Sequence, residues 1–257
     1  MSEPAPGARG SRDVGPSGHG TPCRAPACPH VAPSAADVPR PRLEPREEIL
    51  DAAACLFVER GFAATPPRAI AEAAGIREPL IRYHFPAGKD EILAELLQRS
   101  IQPRLDNVEK IEDLRAATGA GPEVQLYALA VLDVRALARA PHNIGALAWQ
   151  AEAQHQDVGA PFRAARDELL AAYTRLGGQV SDAAPETVLA VPTGDFLGMM
   201  VFHQVEGVVE MRSQGDQITP DVEASVAMSC LLVCRTDPTR INDIAARATD
   251  LIRTPEA

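Results

Sequence analysis

The stretch that most restricts how this chain can fold is TPPRAIAEAAGIREPLIRYHFPAGK, running from Thr65 to Lys89. Its spacing predicts a pair of short helices held at a fixed angle by a glycine. Thr65 is placed to cap the first of them, and Pro66 and Pro67 sit in a first turn where a missing amide hydrogen would have found no intrahelical partner anyway. Ile70, Ala73 and Ala74 recur three and four residues apart, as core-facing helix residues do. The pattern breaks at Ala74-Gly75-Ile76, where Gly75 is free to take the positive φ that a sharp helix-to-helix turn requires. A second helix restarts by Glu78, takes Pro79 into its first turn, buries Ile81 and Phe85 and turns Arg77, Arg82, Tyr83 and His84 outward. Short helices with small residues at the crossing and a glycine turn make a helix-turn-helix, whose second helix can lie in a major groove. The same spacing also suits an ordinary helical hairpin.

The flanks favour the first reading. Upstream, REEILDAAACLFVERGF puts Ile49, Ala53, Leu56 and Phe57 on one face and stops at Gly61, with Phe62 set to pack back. This is a first helix that covers the other two. Downstream, Pro86-Ala87-Gly88 ends the second helix, and Lys89-Asp90 opens a long helix with Ile92, Leu93, Leu96 and Leu97 apolar.

The run from about Arg46 to Leu97 resembles the DNA-binding end of the TetR family of transcriptional regulators. The matching residues are Ile49, Ala53, Phe57, Gly61-Phe62, Thr65, Ile70-Ala71, Ala74-Gly75-Ile76, Ile81, Tyr83-His84-Phe85 and Lys89. Three departures are visible: Arg77 stands where the family often has a serine cap, Leu80 replaces a small hydroxyl residue, and Ala87-Gly88 lengthens the turn before Lys89. The resemblance implies that Thr65, Tyr83 and Lys89 contact phosphates, with Lys89 at a helix amino terminus whose dipole also favours an anion. Glu78, Pro79, Leu80 and Arg82 then face the base edges. Arg82 could be bidentate to guanine, worth about 1–3 kcal/mol of discrimination, and Arg77 could do the same or grip a phosphate. His84 is either a phosphate donor or a local cap.

Composition sets limits on this reading. A net charge of -10 over 257 residues argues against a protein that coats nucleic acid without selectivity. Between Ile76 and Lys89, however, Arg77, Arg82 and Lys89 outnumber Glu78. Residues 1–43 are rich in Pro, Gly, Ala and Arg with almost no large apolar side chains, so the expectation is a disordered arm. Cys23, Cys28, His19 and His30 lie in it, but Cys-x4-Cys-x-His fits no common zinc pattern, and no metal or cofactor is expected. No apolar stretch resembles a signal peptide or a membrane span, and the cysteine usage fits a reducing, cytoplasmic compartment.

Beyond Leu97 the chain reads as helix after helix, giving an all-α protein: a three-helix helix-turn-helix head over 44–88, then a helical ligand-binding and dimerisation domain over 89–257. The expected segments are Lys89–Leu114, Glu123–Ala140, Asn143–Gln156, Pro161–Leu176, Glu186–Arg212, Asp221–Arg235 and Thr239–Arg253, with breaks at Gly159-Pro161 and Gly177-Gly178 among others. Phe196, Met200, His203 and Gly207 form one stripe of the segment ending at Arg212, and Leu197, Val201 and Val208 another. A helix apolar on both sides has a second surface to bury, and the family pattern suggests a homodimer through this helix and the next. The resemblance also implies a pocket for a small, apolar effector. Its candidate lining is Trp149, Gln150, Phe162, Tyr173, Phe196, Met199, Met200 and His203, although such stripes also serve as plain core.

The expectation is therefore a non-enzymatic, ligand-responsive repressor that binds a double-stranded DNA operator as a dimer. The alternatives are a helical module acting through proteins alone and a thiol-based redox protein using Cys230 and Cys234, one turn apart.

Overall fold

Among the described residues, most prolines and glycines begin or end helices, many of them where the sequence expects. In the computed structural model the described residues are 44–147, 156–183 and 194–253, and every regular element among them is helical. The expected arm, Trp149 and Gln150 lie outside the described residues. Helix α1 spans Pro45–Arg60, with Pro45 in its first turn, Glu47 and Glu48 beside it and Arg60 in its last turn, an order that suits the helix dipole. It buries Ile49, Ala53, Leu56 and Phe57. Helix α2 spans Pro67–Ala73, and Gly75 follows at φ 67°. The Ile76 amide donates back to the Ala71 carbonyl at 3.0 Å, closing the turn in the manner of a Schellman cap. Helix α3 spans Pro79–His84 and is anchored by Ile81 and Phe85, both within 1% of full burial.

Helix α4, Lys89–Thr118, runs beyond its expected end at Leu114 to Gly119. Helix α5 spans Pro122–Arg139, α6 Gln156–Asp182, α7 Gly194–Ser213 and α8 Pro220–Val233. A 3-10 turn at Pro238–Arg240 leads into α9, Ile241–Arg253.

The breaks expected at Gly159-Pro161 and Gly177-Gly178 are wrong, because both lie inside α6. Pro161 sits close to the start of the helix, where its missing amide forfeits a single early bond. Gly177 marks a helix crossing instead of a helix end: a Cβ there would lie 3.7 Å from the Cα of Gly198 on α7. On Gly198 itself a Cβ would come within 2.2 Å of the Thr174 Cα, so only a glycine allows α6 and α7 to approach this closely.

Helices α4 to α7 meet around a buried set of charges. Arg104 on α4, just after Pro103, donates to Asp133 on α5 at 2.5 and 3.1 Å. The same carboxylate accepts from the Tyr173 hydroxyl on α6 at 2.9 Å. Glu206 on α7 lies 3.6 Å from Arg104 and accepts from Arg166 on α6 at 3.1 and 2.5 Å. Burial works against the Arg104 charge, but Asp133 outweighs it and holds the guanidinium pKa above its ordinary value. Burial, with Asp133 beside it, pushes the Tyr173 phenol well up, so it remains a donor.

Removing Asp133 would strand Arg104 in the interior. Asp133→Ala is expected to lower unfolding free energy by about 3–5 kcal/mol in urea titrations, and the double replacement Arg104→Met with Asp133→Leu by much less.

Candidate nucleic-acid interface

Helix α3 has one buried side and one bare side, which makes it the candidate contact surface. Arg77, Glu78, Pro79, Leu80, Arg82 and Tyr83 are exposed, with Tyr83 at 80%. Tyr83 stands edge-on to the half-buried His84 ring, centroids 5.0 Å apart. A six-residue helix has too few internal hydrogen bonds to hold itself, so its presentation depends on what lies beneath. Underneath, Arg46 of α1 sits 4.8 Å over the Phe85 ring and pairs with Glu95 of α4. Arg99 of α4 donates to Glu47 of α1 at 2.6 and 2.8 Å. These pairs fix α1 across α4, while α3 packs against α2 and its end meets α1 through Phe85 and Arg46.

Two of the residues expected at phosphates bond to backbone carbonyls around the α1–α2 connection. Thr65 does not cap α2, whose N-cap is Pro66 with no side-chain bond. Its side chain is fully buried, and its hydroxyl donates to the Gly61 carbonyl at 2.8 Å and lies 3.3 Å from that of Leu56. The two prolines remove amides from the first turn of α2, so the hydroxyl turns to the unsatisfied carbonyls at the end of α1 instead. Lys89 points its ammonium at the carbonyls of Phe62 (2.8 Å) and Thr65 (3.2 Å) and stands 4.2 Å over the Phe62 ring. Both side chains tie down the α1–α2 connection.

The described residues of the expected effector lining occupy different surroundings. Tyr173 is fully buried in the charge network, and Phe196, Met199, Met200 and His203 face outward on α7 at 43%, 39%, 38% and 53% exposure. Leu232 on α8 is also bare, at 49%. Phe162, among the described candidates, lines a cavity of about 30 Å³ between apolar residues such as Ile101, Leu137, Ile144 and Val209 and the polar Ser100, Arg104, His142, Asn143, Glu206 and Arg212. Sequence reasoning missed these polar residues, yet a signal existed: Arg104 lies on the stripe Leu97, Ile101, Ile111, and Asp133 interrupts the apolar run of α5, where periodicity calls for apolar side chains.

The thiols of the redox alternative are buried. Burial pushes Cys234 up to about 11 and Cys230 further still. No helix among the described residues is long and apolar enough to cross a membrane.

Comparison with known proteins agrees with this geometry. The signature of bacterial regulatory proteins of the tetR family matches residues 49–96, α1 to the start of α4. The crystal structure of AmtR from Mycobacterium smegmatis superposes with a TM-score of 0.70 at 30% identity, covering 85% of this chain and 99% of that one. The chain belongs to the TetR family. The HTH-type transcriptional repressor KstR2 of Rhodococcus jostii (strain RHA1) is 34% identical over 110 residues, which cover 43% of this chain and 50% of that protein. This TetR-family chain thus spans about half the length of the curated relatives it matches. The structure of the ketosteroid transcriptional regulator KstR2 of Mycobacterium tuberculosis, at 21% identity and a TM-score of 0.58, covers 75% of this chain and 94% of that one and shares the fold.

Because Thr65 serves the α1–α2 connection, Thr65→Val is expected to destabilise the chain by about 1–3 kcal/mol in thermal or urea unfolding. The salt slope of any duplex binding tests the phosphate role of the same hydroxyl, since a side chain that contacts no phosphate leaves the slope unchanged.

Proposed function

We propose that this chain is a dimeric DNA-binding repressor of transcription whose α3 enters the major groove of a palindromic operator. The observation that carries this reading is the two-sided α3: Ile81 and Phe85 are buried while Arg77, Glu78, Pro79, Leu80, Arg82 and Tyr83 form an uncovered surface. In it Arg82, and beside it Arg77, read bases, Tyr83 and His84 reach the backbone, and Glu78, Pro79 and Leu80 set which bases fit. Lys89 holds Phe62 and Thr65 in place and thereby sets the height of α3. Residues 44–88 act as the DNA-binding head, and 89–257 supply dimerisation and effector response. The repressors it resembles support the sign of regulation.

The uncovered apolar side chains Phe196, Met199 and Met200 on α7, with Leu232 on α8, support a twofold interface between copies. Two copies are needed to hold two recognition helices about 34–36 Å apart, or a multiple of it, on successive major-groove faces. The cavity sets Arg104, Glu206, His142 and Arg212 among Ile101, Leu137, Ile144, Phe162 and Val209, which supports a small effector with an apolar body and a few polar anchors. A relative described as a ketosteroid regulator does not extend that ligand to a site with this lining.

Fluorescence anisotropy with duplexes from the DNA flanking the gene, at several salt concentrations, tests the reading. Arg82→Ala should weaken the best duplex about 5- to 100-fold with little effect on random competitor. Met200→Glu should yield monomers by sedimentation and lose most of the affinity. Indifference of the unmodified protein to every duplex of its own locus at low salt would overturn the proposal.

A further inference from the structure

Where the head meets the body, three chemically matched side chains line up that DNA binding does not use. His142, in the connection after α5, directs Nε2 to Asp51 Oδ1 on α1 at 2.8 Å and Nδ1 to Cys55 Sγ, one turn along α1, at 3.9 Å. A carboxylate only accepts, so the proton of a neutral imidazole belongs on Nε2, which leaves Nδ1 as the acceptor facing the thiol. This is the order of nucleophile, base and orienting carboxylate that activates cysteines elsewhere in protein chemistry. We propose that Cys55 is a modification site: a thiol that His142, oriented by Asp51, makes reactive toward a small two-electron oxidant of the hydrogen peroxide class.

Access favours a small reagent. Cys55 is 5% exposed, and the His142 and Asp51 side chains beside it are 16% and 36% exposed. His142 also lines the cavity near α4, whose volume of about 30 Å³ admits molecules of water or peroxide size. In the reaction, the Cys55 proton passes to His142 Nδ1 and the imidazolium is stabilised by Asp51. The thiolate attacks one peroxide oxygen, the O–O bond breaks and an S–O bond forms. The departing hydroxide takes the proton from His142, so that thiol and peroxide give sulfenic acid and water. Sulfur is oxidised by two electrons and the peroxide is reduced by two. The added oxygen lies between α1 and the connection that carries His142, so it pushes the head away from the body.

The other described thiols lack this setting. Cys230 faces the Val201 carbonyl at 3.9 Å, which cannot take its proton, and Cys234 is raised to about 11 by burial. They serve as internal controls. The charged groups around His142 are Asp51 on α1 and, across the cavity, Arg104 on α4 and Glu206 and Arg212 on α7.

The test treats the reduced full-length protein with hydrogen peroxide, traps sulfenic acid with a dimedone-type probe and maps labelled peptides by mass. Cys55 is expected to label at least about tenfold faster than Cys230 and Cys234. His142→Phe, which keeps bulk but removes the base, and Asp51→Asn should each slow Cys55 several-fold near neutral pH. That gap should narrow as pH rises, because hydroxide then takes the thiol proton without the base. Labelling of Cys55 no faster than the other two, or unchanged by His142→Phe at every pH, would refute the site. Because labelling is read on the protein alone, its failure leaves the DNA-binding proposal standing, and a failure of duplex binding leaves the labelling result standing.

Discussion

The contact on which the rest of this structure depends is the bidentate pair of Arg104 and Asp133, placed where α4, α5, α6 and α7 converge. Its Coulomb energy is largely consumed by the cost of taking both charges out of water, so its net contribution to stability is small. What it supplies is a penalty on every other arrangement. Any sliding of α4 against α5 uncouples a guanidinium that is 3% exposed from a carboxylate that is fully buried. Tyr173, Glu206 and Arg166 extend the constraint to α6 and α7. The helix that carries the head is thereby held in one register, while the glycine at 198 lets α6 and α7 close on each other with no side chain between them.

At the head the same logic acts through backbone groups. The end of α1 leaves carbonyls without intrahelical partners, and α2 begins with two prolines that offer no amides to them. Thr65 and Lys89 fill the deficit from opposite sides of the connection. A lysine at the first position of α4 is poorly matched to the local dipole, yet its ammonium gains two carbonyls and the Phe62 ring in exchange. Residues that resemble phosphate contacts by position are here part of the frame that sets the orientation of α3.

Much of this was legible in the sequence because it is local. Gly75 has to turn, Ile81 and Phe85 have to be buried, and the outward set from Arg77 to Tyr83 follows from helical spacing alone. The expected placements that failed are those decided by tertiary contact. Gly177 reads as a helix end until its neighbour at Gly198 is known, and Pro161 reads as a break although it costs α6 little near its start. The apolar stripe of Phe196, Met199 and Met200 has the same period whether it lines a pocket or faces outward, so periodicity could not assign it. The cavity is lined by polar and apolar residues scattered from Ser100 to Arg212, and no spacing rule joins His142 to Asp51 across 91 residues of chain.

Besides the Arg46–Glu95 and Arg99–Glu47 pairs, two connections between head and body differ in stiffness. One is covalent: α4 leaves the head at Lys89 and passes the Arg104 cluster without interruption. The other is the contact of His142 with Asp51 and Cys55, carried on a short connection whose Asn143 side chain donates to the Val209 carbonyl at 2.8 Å and whose Ala140 carbonyl accepts from Arg212 at 2.6 Å. A rigid helix transmits rotation, whereas a side-chain contact is made or lost. On the effector reading proposed above, an occupant of the cavity would meet Arg212, Asn143 and His142 together, since all three line it. The coupling such a response needs is modest, roughly 1–3 kcal/mol, about the strength of one charge-assisted hydrogen bond.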